Sequence, residues 1–186
     1  MAFSLKITLV TALLLLTACR SEPIQFHTLT PAQPGGASGG GADIQIEAVT
    51  VPPQVDRPQI VIRQGNSGLA ILETQWWAAS LTDELRSALF DQLVNSNLQR
   101  RVSLRLDVQR FDSIPGQYAL IDVKWRLRIF GSGDAAPITC RSTLQTPSGA
   151  SIDDLVIAHQ NNVKRLAAAI SQTVAAGTSR GCPTAR

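Results

Sequence analysis

Hydrophobic positions recur with two different periods along the chain, and the change of period separates predicted strands from predicted helices. Alternation of apolar and polar residues indicates strands with one buried face. Segments of this kind are residues 44–51, 102–108, 119–129 and 138–144. Two short apolar segments, residues 59–63 and 69–73, flank the turn sequence QGNSG and are therefore predicted to form a hairpin.

Two other segments have their apolar residues at helical spacing. The first begins after Ser80, a favourable N-cap, and its apolar positions are Leu81, Leu85, Leu89 and Leu93. The second begins after Ser151 and ends before Gly177, and its apolar stripe is Ile152, Leu155, Val163, Leu166, Ile170 and Val174. Each of these helices must bury one face.

The predicted element order is strands, a helix, three strands and a second helix. Consecutive strands joined by short turns, each with one polar face, favour antiparallel pairing. The pattern therefore predicts an α+β fold. Its expected architecture is a two-layer sandwich, in which a mostly antiparallel sheet carries two long amphipathic helices on one face.

The N-terminus has the three parts of a secretory signal peptide, predicted over residues 1–18. Lys6 gives the basic start, residues 7–16 the apolar middle, and Thr17-Ala18 the small residues at the cleavage site. The apolar run is too short for a transmembrane helix, which needs about 20 residues. The sequence LTAC, ending at Cys19, is similar to a bacterial lipobox, in which the cysteine is acylated and becomes the new N-terminus. An ordinary cleaved signal with a chance cysteine is the alternative.

Residues 19–43 are predicted to form a lipid anchor and linker, followed by an α+β periplasmic domain over residues 44–186. Arg20, rather than aspartate, follows the cysteine, which favours the outer membrane. The linker contains a short strand candidate at 25–30 and then the Gly-rich sequence PAQPGGASGGGA. It could let the domain stand away from the membrane, or form a loop between two strands of one sheet.

Two cysteines remain after Cys19, and an even pair in an oxidising compartment favours a disulfide between Cys140 and Cys182. A buried thiol and a free tail thiol are the alternative. The formal net charge of +3 falls to about +2 when Lys6 is removed, and the basic residues are spread among acids. This distribution does not match a nucleic-acid-binding protein.

The sequence offers little that indicates catalysis, a cofactor or a metal site. His27 and His159 are expected to be structural or surface residues, and no histidine or cysteine spacing matches a zinc site. The pairs Asp83-Glu84 and Asp153-Asp154 stand where helix starts favour negative charge. A non-enzymatic binding or scaffold role without a cofactor is therefore favoured.

Trp76 and Trp77 are adjacent at the junction of hairpin and helix. Neighbouring side chains of an extended segment point opposite ways. One ring can then enter the core while the other contacts a partner, a lipid or the membrane interface. Packing of both rings at the junction is the alternative.

Four blocks together resemble the ABC-type transport auxiliary lipoproteins, the PqiC/YmbA-like or DUF330 family. They are the lipobox, VTVPPQVDRPQIVIR, WWAASLTDELRSALFDQL, and the strand from Tyr118 to Ile129 with its sequence VKWRL. The resemblance covers essentially the whole mature chain.

The resemblance implies a non-enzymatic component of a transport system that spans the cell envelope. Cys19 would anchor the protein in the outer membrane, facing the periplasm. The domain would dock an MCE-domain protein that bridges to an inner-membrane ABC permease and ATPase, the cargo would be phospholipid or another hydrophobic molecule, and self-association could build a ring. An independent lipid- or envelope-binding lipoprotein is the alternative, and an anchored hydrolase is a third hypothesis.

Overall fold

The computed structural model describes residues 22–32, 43–96, 98, 100–131, 136–177 and 182. The predicted signal peptide, Cys19 and the Gly-rich part of the linker lie outside these residues. The described part of the chain forms strands β1 (Gln25–His27), β2 (Ile44–Thr50), β3 (Gln59–Gln64), β4 (Gly68–Trp77), β5 (Val102–Ile114), β6 (Tyr118–Ile129) and β7 (Ile138–Pro147), and helices α1 (Leu81–Val94) and α2 (Ile152–Ala176).

The α+β class is confirmed, and the strands divide between two mixed sheets. One sheet has the order β2-β5-β6-β7 and the other the order β1-β4-β3. Most neighbours are antiparallel, but β2 runs parallel to β5 and β1 runs parallel to β4. Each parallel pair joins strands that are distant in sequence, because parallel neighbours need a crossover connection and cannot be joined by a tight turn.

Both helices pack on each other and on the four-stranded sheet, and this interface forms most of the core. The predicted leucine stripe of α1 is buried, and α2 buries Leu155, Val163, Leu166, Ile170 and Val174. The largest fully buried side chain is Trp125, at the centre of β6, and its indole N–H donates to the Ser142 hydroxyl at 3.0 Å. This bond satisfies a polar group that would otherwise be costly to bury.

Four strands differ in length from the sequence pattern by three residues or more, and one of them is β7, which continues past residue 144 to Pro147. β1 ends at His27, because Leu29 leaves the sheet and is fully buried. β4 continues to Trp77 and β5 continues to Ile114, past the regular alternation. Register shifts interrupt β4 between the partners of Gln59 and Val61, and β5 between Val108 and Arg110. Such irregularities hide strand continuity from a period-two pattern.

A disulfide joins Cys140 on β7 to Cys182, with the two Cα atoms 5.5 Å apart. It closes a loop with a sequence separation of 42 residues that contains α2. The C-terminal tail is thereby fastened to the four-stranded sheet. Neither helix of the described segments is long and apolar enough to cross a membrane.

Candidate functional site

The first candidate for chemistry is a serine–histidine pair on the helix-covered side of β5. The Ser113 hydroxyl lies 2.9 Å from Nε2 of His159 on α2, and both residues are buried. The His159 ring stacks on Phe111 with centroids 4.0 Å apart and meets the edge of Trp77. Burial lowers the pKa of His159 to about 3, so the imidazole is neutral near pH 7.

Among the residues that the structure describes, no third group orients His159 as a catalytic histidine would require. Nδ1 of His159 is buried without a hydrogen-bond partner in the described part of the chain. Asp112 adjoins Ser113 on β5, so its side chain points to the opposite face of the strand. There it accepts a hydrogen bond from Arg63 at 3.0 Å and pairs with Arg110. The geometry therefore gives His159 a packing role, as the sequence predicts, rather than that of a general base.

The acidic residues at the helix starts have two roles: most of them belong to helix caps, and one binds the N-terminal segment of the domain. The Asp83 amide donates to the Ser80 hydroxyl at 3.2 Å, and Ser151 and Asp154 form a reciprocal capping box. Glu84 differs, because it is buried and accepts hydrogen bonds from the Thr28 hydroxyl at 2.8 Å and the Leu29 amide at 2.7 Å. The sequence pattern assigned Glu84 only to the helix start, since nothing local indicates a partner 55 residues earlier in the chain.

His27 is also a structural residue at the N-terminal end of the fold. Its Nε2 lies 2.6 Å from the side-chain oxygen of Gln75, and its Nδ1 lies 3.3 Å from the carboxylate of Asp153. The backbone of His27 accepts a hydrogen bond from the Ala78 amide at 2.8 Å. These contacts and those of Glu84 fix the point at which the chain enters the domain.

The two tryptophans have different surroundings. Trp77 is only 3% exposed and packs edge-on against Phe111, so it cannot contact a partner. Of the two rings, Trp77 is therefore the one that enters the core, and a partner or lipid contact stays a prediction for Trp76. Trp76 is partly exposed and meets Phe26 in a T-shaped contact with centroids 6.3 Å apart. Only Trp76 can serve as a surface contact.

The open face of the four-stranded sheet carries a cluster of basic side chains, which we call the arginine face. Arg105 pairs with Arg126 across β5 and β6, and Lys124 and Arg128 flank Arg126 on β6. All four are exposed. Directly opposed side chains of neighbouring strands stand about 5 Å apart, so the like charges of Arg105 and Arg126 repel each other. Such an arrangement favours an anionic partner.

Glu47 is the carboxylate that enters this cluster. A bulge in β2 places Glu47 between Ile46 and Ala48, the partners of Leu104 and Arg105. Glu47 accepts a hydrogen bond from Ser103 and lies 3.4 Å from Nη2 of Arg105. The Ser103 hydrogen bond, with smaller contributions from Arg105 and Arg128, holds the pKa of Glu47 below its usual range.

The arginine face retains a positive excess around Glu47. A second acidic residue nearby is Asp107 on β5, which accepts a hydrogen bond from the Thr50 hydroxyl at 3.0 Å. Within the described residues, Arg126 and Arg128 form no ion pair. A shallow pocket of about 260 Å³ opens here, and its lining residues are Glu47, Ser103, Arg105, Arg126, Arg128 and Pro137. The described ranges contain no cluster of three or more histidine, cysteine or acidic residues that could hold a metal.

Comparisons with known proteins agree with this architecture. Residues 27–171 match the family model of the ABC-type transport auxiliary lipoprotein component. A search of curated proteins finds no match.

Two solved structures share the fold at low sequence identity. A Xanthomonas campestris protein of the DUF330 family superposes with a TM-score of 0.58 at 19% identity, over 80% of this chain and 90% of that one. An uncharacterized protein of known crystal structure superposes with a TM-score of 0.68 at 18% identity, over 81% of this chain and 98% of that one.

Proposed function

Since the chain belongs to the ABC-type transport auxiliary lipoproteins, we propose that it docks the MCE-domain protein of an intermembrane lipid transport system. Family membership makes it an auxiliary lipoprotein component of ABC-type transport in the cell envelope. In this proposal, an acylated Cys19 anchors the protein in the outer membrane. The MCE-domain partner spans the periplasm and connects the lipoprotein to an inner-membrane permease and ATPase. Phospholipid or another hydrophobic molecule is the proposed cargo, and a ring of copies around the exit is the proposed assembly.

The arginine face is the observation that carries the docking proposal. Its side chains project from two central strands, whose separation is fixed by the regular register of residues 102–108 on β5 with residues 123–129 on β6. The backbone of a sheet surface is ordered before binding, so the entropy lost on association is mainly that of the side chains. Unpaired arginines at such a surface recognise carboxylates through two parallel hydrogen bonds. We therefore infer that an acidic surface of the MCE-domain protein docks there.

The proposed role requires no chemical step from this chain. The buried Ser113–His159 pair is closed to substrate, and the exposed charged groups of the arginine face are suited to recognition. Docking and anchoring are then the contributions of the lipoprotein, and energy enters the system at the ATPase.

Charge reversal tests the docking surface. With the double variant Arg126→Glu, Arg128→Glu, the yield of MCE-domain protein recovered from solubilised envelopes is expected to fall by about tenfold or more. Close charge pairs at interfaces couple by about 1.5 kcal/mol or more, which corresponds to roughly tenfold in affinity. Arg86→Glu with Lys164→Glu is the matched control, because it makes the same change in charge on the exposed faces of the two helices. Equal recovery with both double variants would contradict docking at the arginine face.

The same experiment distinguishes the second candidate function. An independent lipid- or envelope-binding lipoprotein would also present a cationic surface, since lipid phosphates bind arginine as carboxylates do. Recovery of phospholipid alone with the wild-type protein, and loss of that lipid from the arginine-face variant, would favour this alternative over transport.

A further inference from the structure

The three-stranded sheet carries an exposed apolar surface next to the N-terminal entry of the chain. Phe26 is 64% exposed, Leu69 46% and Ile71 43%, and Ile24, just before β1, is 45% exposed. Large apolar side chains are rarely exposed together on a soluble domain without an interaction to cover them. We call Phe26, Leu69, Ile71 and Trp76 the aromatic–aliphatic face.

Strand register places these residues on one side of the sheet. Phe26 on β1 is the register partner of Trp76 on β4. Trp76 and Ile71 are in turn the partners of Gln59 and Val61, which are two residues apart on β3. The two partners are five residues apart on β4, and the irregularity in β4 between them brings both to the same side of the sheet. Leu69 follows at the same period on β4.

The Trp76 ring is held in place at this surface. Its indole N–H donates to the backbone oxygen of Glu73 at 2.9 Å, and its ring meets the edge of Phe26. The aromatic surface is therefore preformed, and its polar group already has a partner. Contact with another apolar surface costs little side-chain ordering in this geometry.

The position of the anchor indicates what covers this face. Cys19 precedes Phe26 by seven residues, a stretch that spans at most about 25 Å when fully extended. Phe26 itself is fixed, because the following residues are tied to Glu84 and the Thr28 oxygen accepts from the Gln160 side chain at 3.0 Å. An acylated Cys19 therefore keeps the aromatic–aliphatic face close to the bilayer.

We propose that the aromatic–aliphatic face rests in the headgroup region of the bilayer that carries the lipid anchor. Aromatic rings beside aliphatic side chains favour this interfacial level. Glu73, exposed between Ile71 and Trp76, limits the contact to the headgroups, because a carboxylate resists transfer into hydrocarbon. The contact rests on the acylation of Cys19 proposed above, and it gives the tethered domain a defined orientation.

Tryptophan fluorescence provides a direct test. The chain has three tryptophans, and Trp77 and Trp125 are 3% and 1% exposed, so Trp76 alone can respond to lipid. The acylated protein is reconstituted into phosphatidylethanolamine–phosphatidylglycerol vesicles whose acyl chains carry bromine close to the headgroup. Bromine is expected to quench the wild-type fluorescence, whereas Trp76→Phe, which keeps an aromatic ring, loses that quenching. Phe26→Ser is expected to reduce the quenching in a protein that retains all three tryptophans.

Several outcomes would overturn the proposal. Wild-type quenching no greater than that of Trp76→Phe would exclude lipid contact at this face. Protection of Trp76 from both lipid bromine and aqueous acrylamide would show that a second copy or a partner protein covers it instead. A purified protein whose mass lacks acyl chains on Cys19 would overturn the anchor and this contact together, whereas an acylated protein with unquenched Trp76 would overturn the contact alone.

Discussion

At the scale of single residues, His159 makes stability depend on pH. Its pKa of about 3 in the folded protein lies well below the ordinary value of 6.5 because the ring is buried. The unfolded chain therefore binds a proton near pH 6.5, whereas the folded chain does not. The free energy of unfolding decreases as the pH falls through this range. We expect the free energy of unfolding to fall by about 2 kcal/mol between pH 7.5 and pH 5.0 through this group alone.

Urea unfolding at the two pH values measures this effect. The comparison variant is His159→Phe combined with Ser113→Ala, which keeps an aromatic ring beside Phe111 and leaves no hydroxyl without its partner. Its loss of stability on acidification is expected to be smaller by about 2 kcal/mol. An identical pH dependence in wild type and variant would mean that His159 binds its proton in the folded protein as readily as in the unfolded chain.

Glu84 provides a second prediction at this scale. Glu84→Ala leaves the Leu29 amide and the Thr28 hydroxyl without their acceptor, and the amide belongs to a fully buried residue. We expect a loss of about 1–3 kcal/mol in the free energy of unfolding, since an unsatisfied buried donor bears its full desolvation cost. Glu84→Gln keeps an acceptor oxygen and should lose less. Equal losses in the two variants would contradict a hydrogen-bonding role.

At the scale of elements, the disulfide between β7 and the tail closes a loop with a sequence separation of 42 residues. In the chain-entropy description, a loop of this size stabilises the fold by about 4 kcal/mol. Cys182→Ser is expected to lower the free energy of unfolding by up to this amount, as measured by urea unfolding. Reduction of the wild-type protein should have a similar effect and should leave the variant unchanged; a variant that remained sensitive to reductant would contradict this pairing.

The elements themselves were largely predictable, because their buried faces have strict periods. The leucines of α1, the alternation in β6 and the capping serines at 80 and 151 identify helices and strands from local sequence alone. The two parallel pairings were not predictable, since a period-two pattern shows which side chains are buried but not which strand lies alongside. The division into two sheets follows from those pairings.

The candidate site was predictable only in part, for the same reason. The sequence shows that Arg126 and Arg128 lie on the polar side of β6, but only register brings Arg105 and the bulged Glu47 beside them. Likewise the pattern separates Trp76 from Trp77, and only the pairing of Phe26 with Trp76 shows that an apolar surface forms. Residues from distant segments gain their role through tertiary contacts, which a local pattern does not contain.

At the scale of the whole molecule, folding and membrane attachment depend on different parts of the chain. Cys19 precedes the described domain, so Cys19→Ala is expected to leave the fold intact while removing the acyl chains that give stable membrane attachment. Membrane fractionation should show the variant leaving the outer-membrane fraction, and circular dichroism should show an unchanged unfolding transition. Normal fractionation and normal envelope integrity with this variant would contradict lipid anchoring.

Docking of the MCE-domain protein at the arginine face can be tested by crosslinking in living cells. A photoreactive amino acid is placed at Arg126, and in a control at Ile157, which is 53% exposed on α2 away from this face. Mass spectrometry of the crosslinked products identifies the partner. We expect crosslinks to the MCE-domain protein from position 126 and none from position 157. Recovery of only the lipoprotein itself and lipid from position 126 would contradict it.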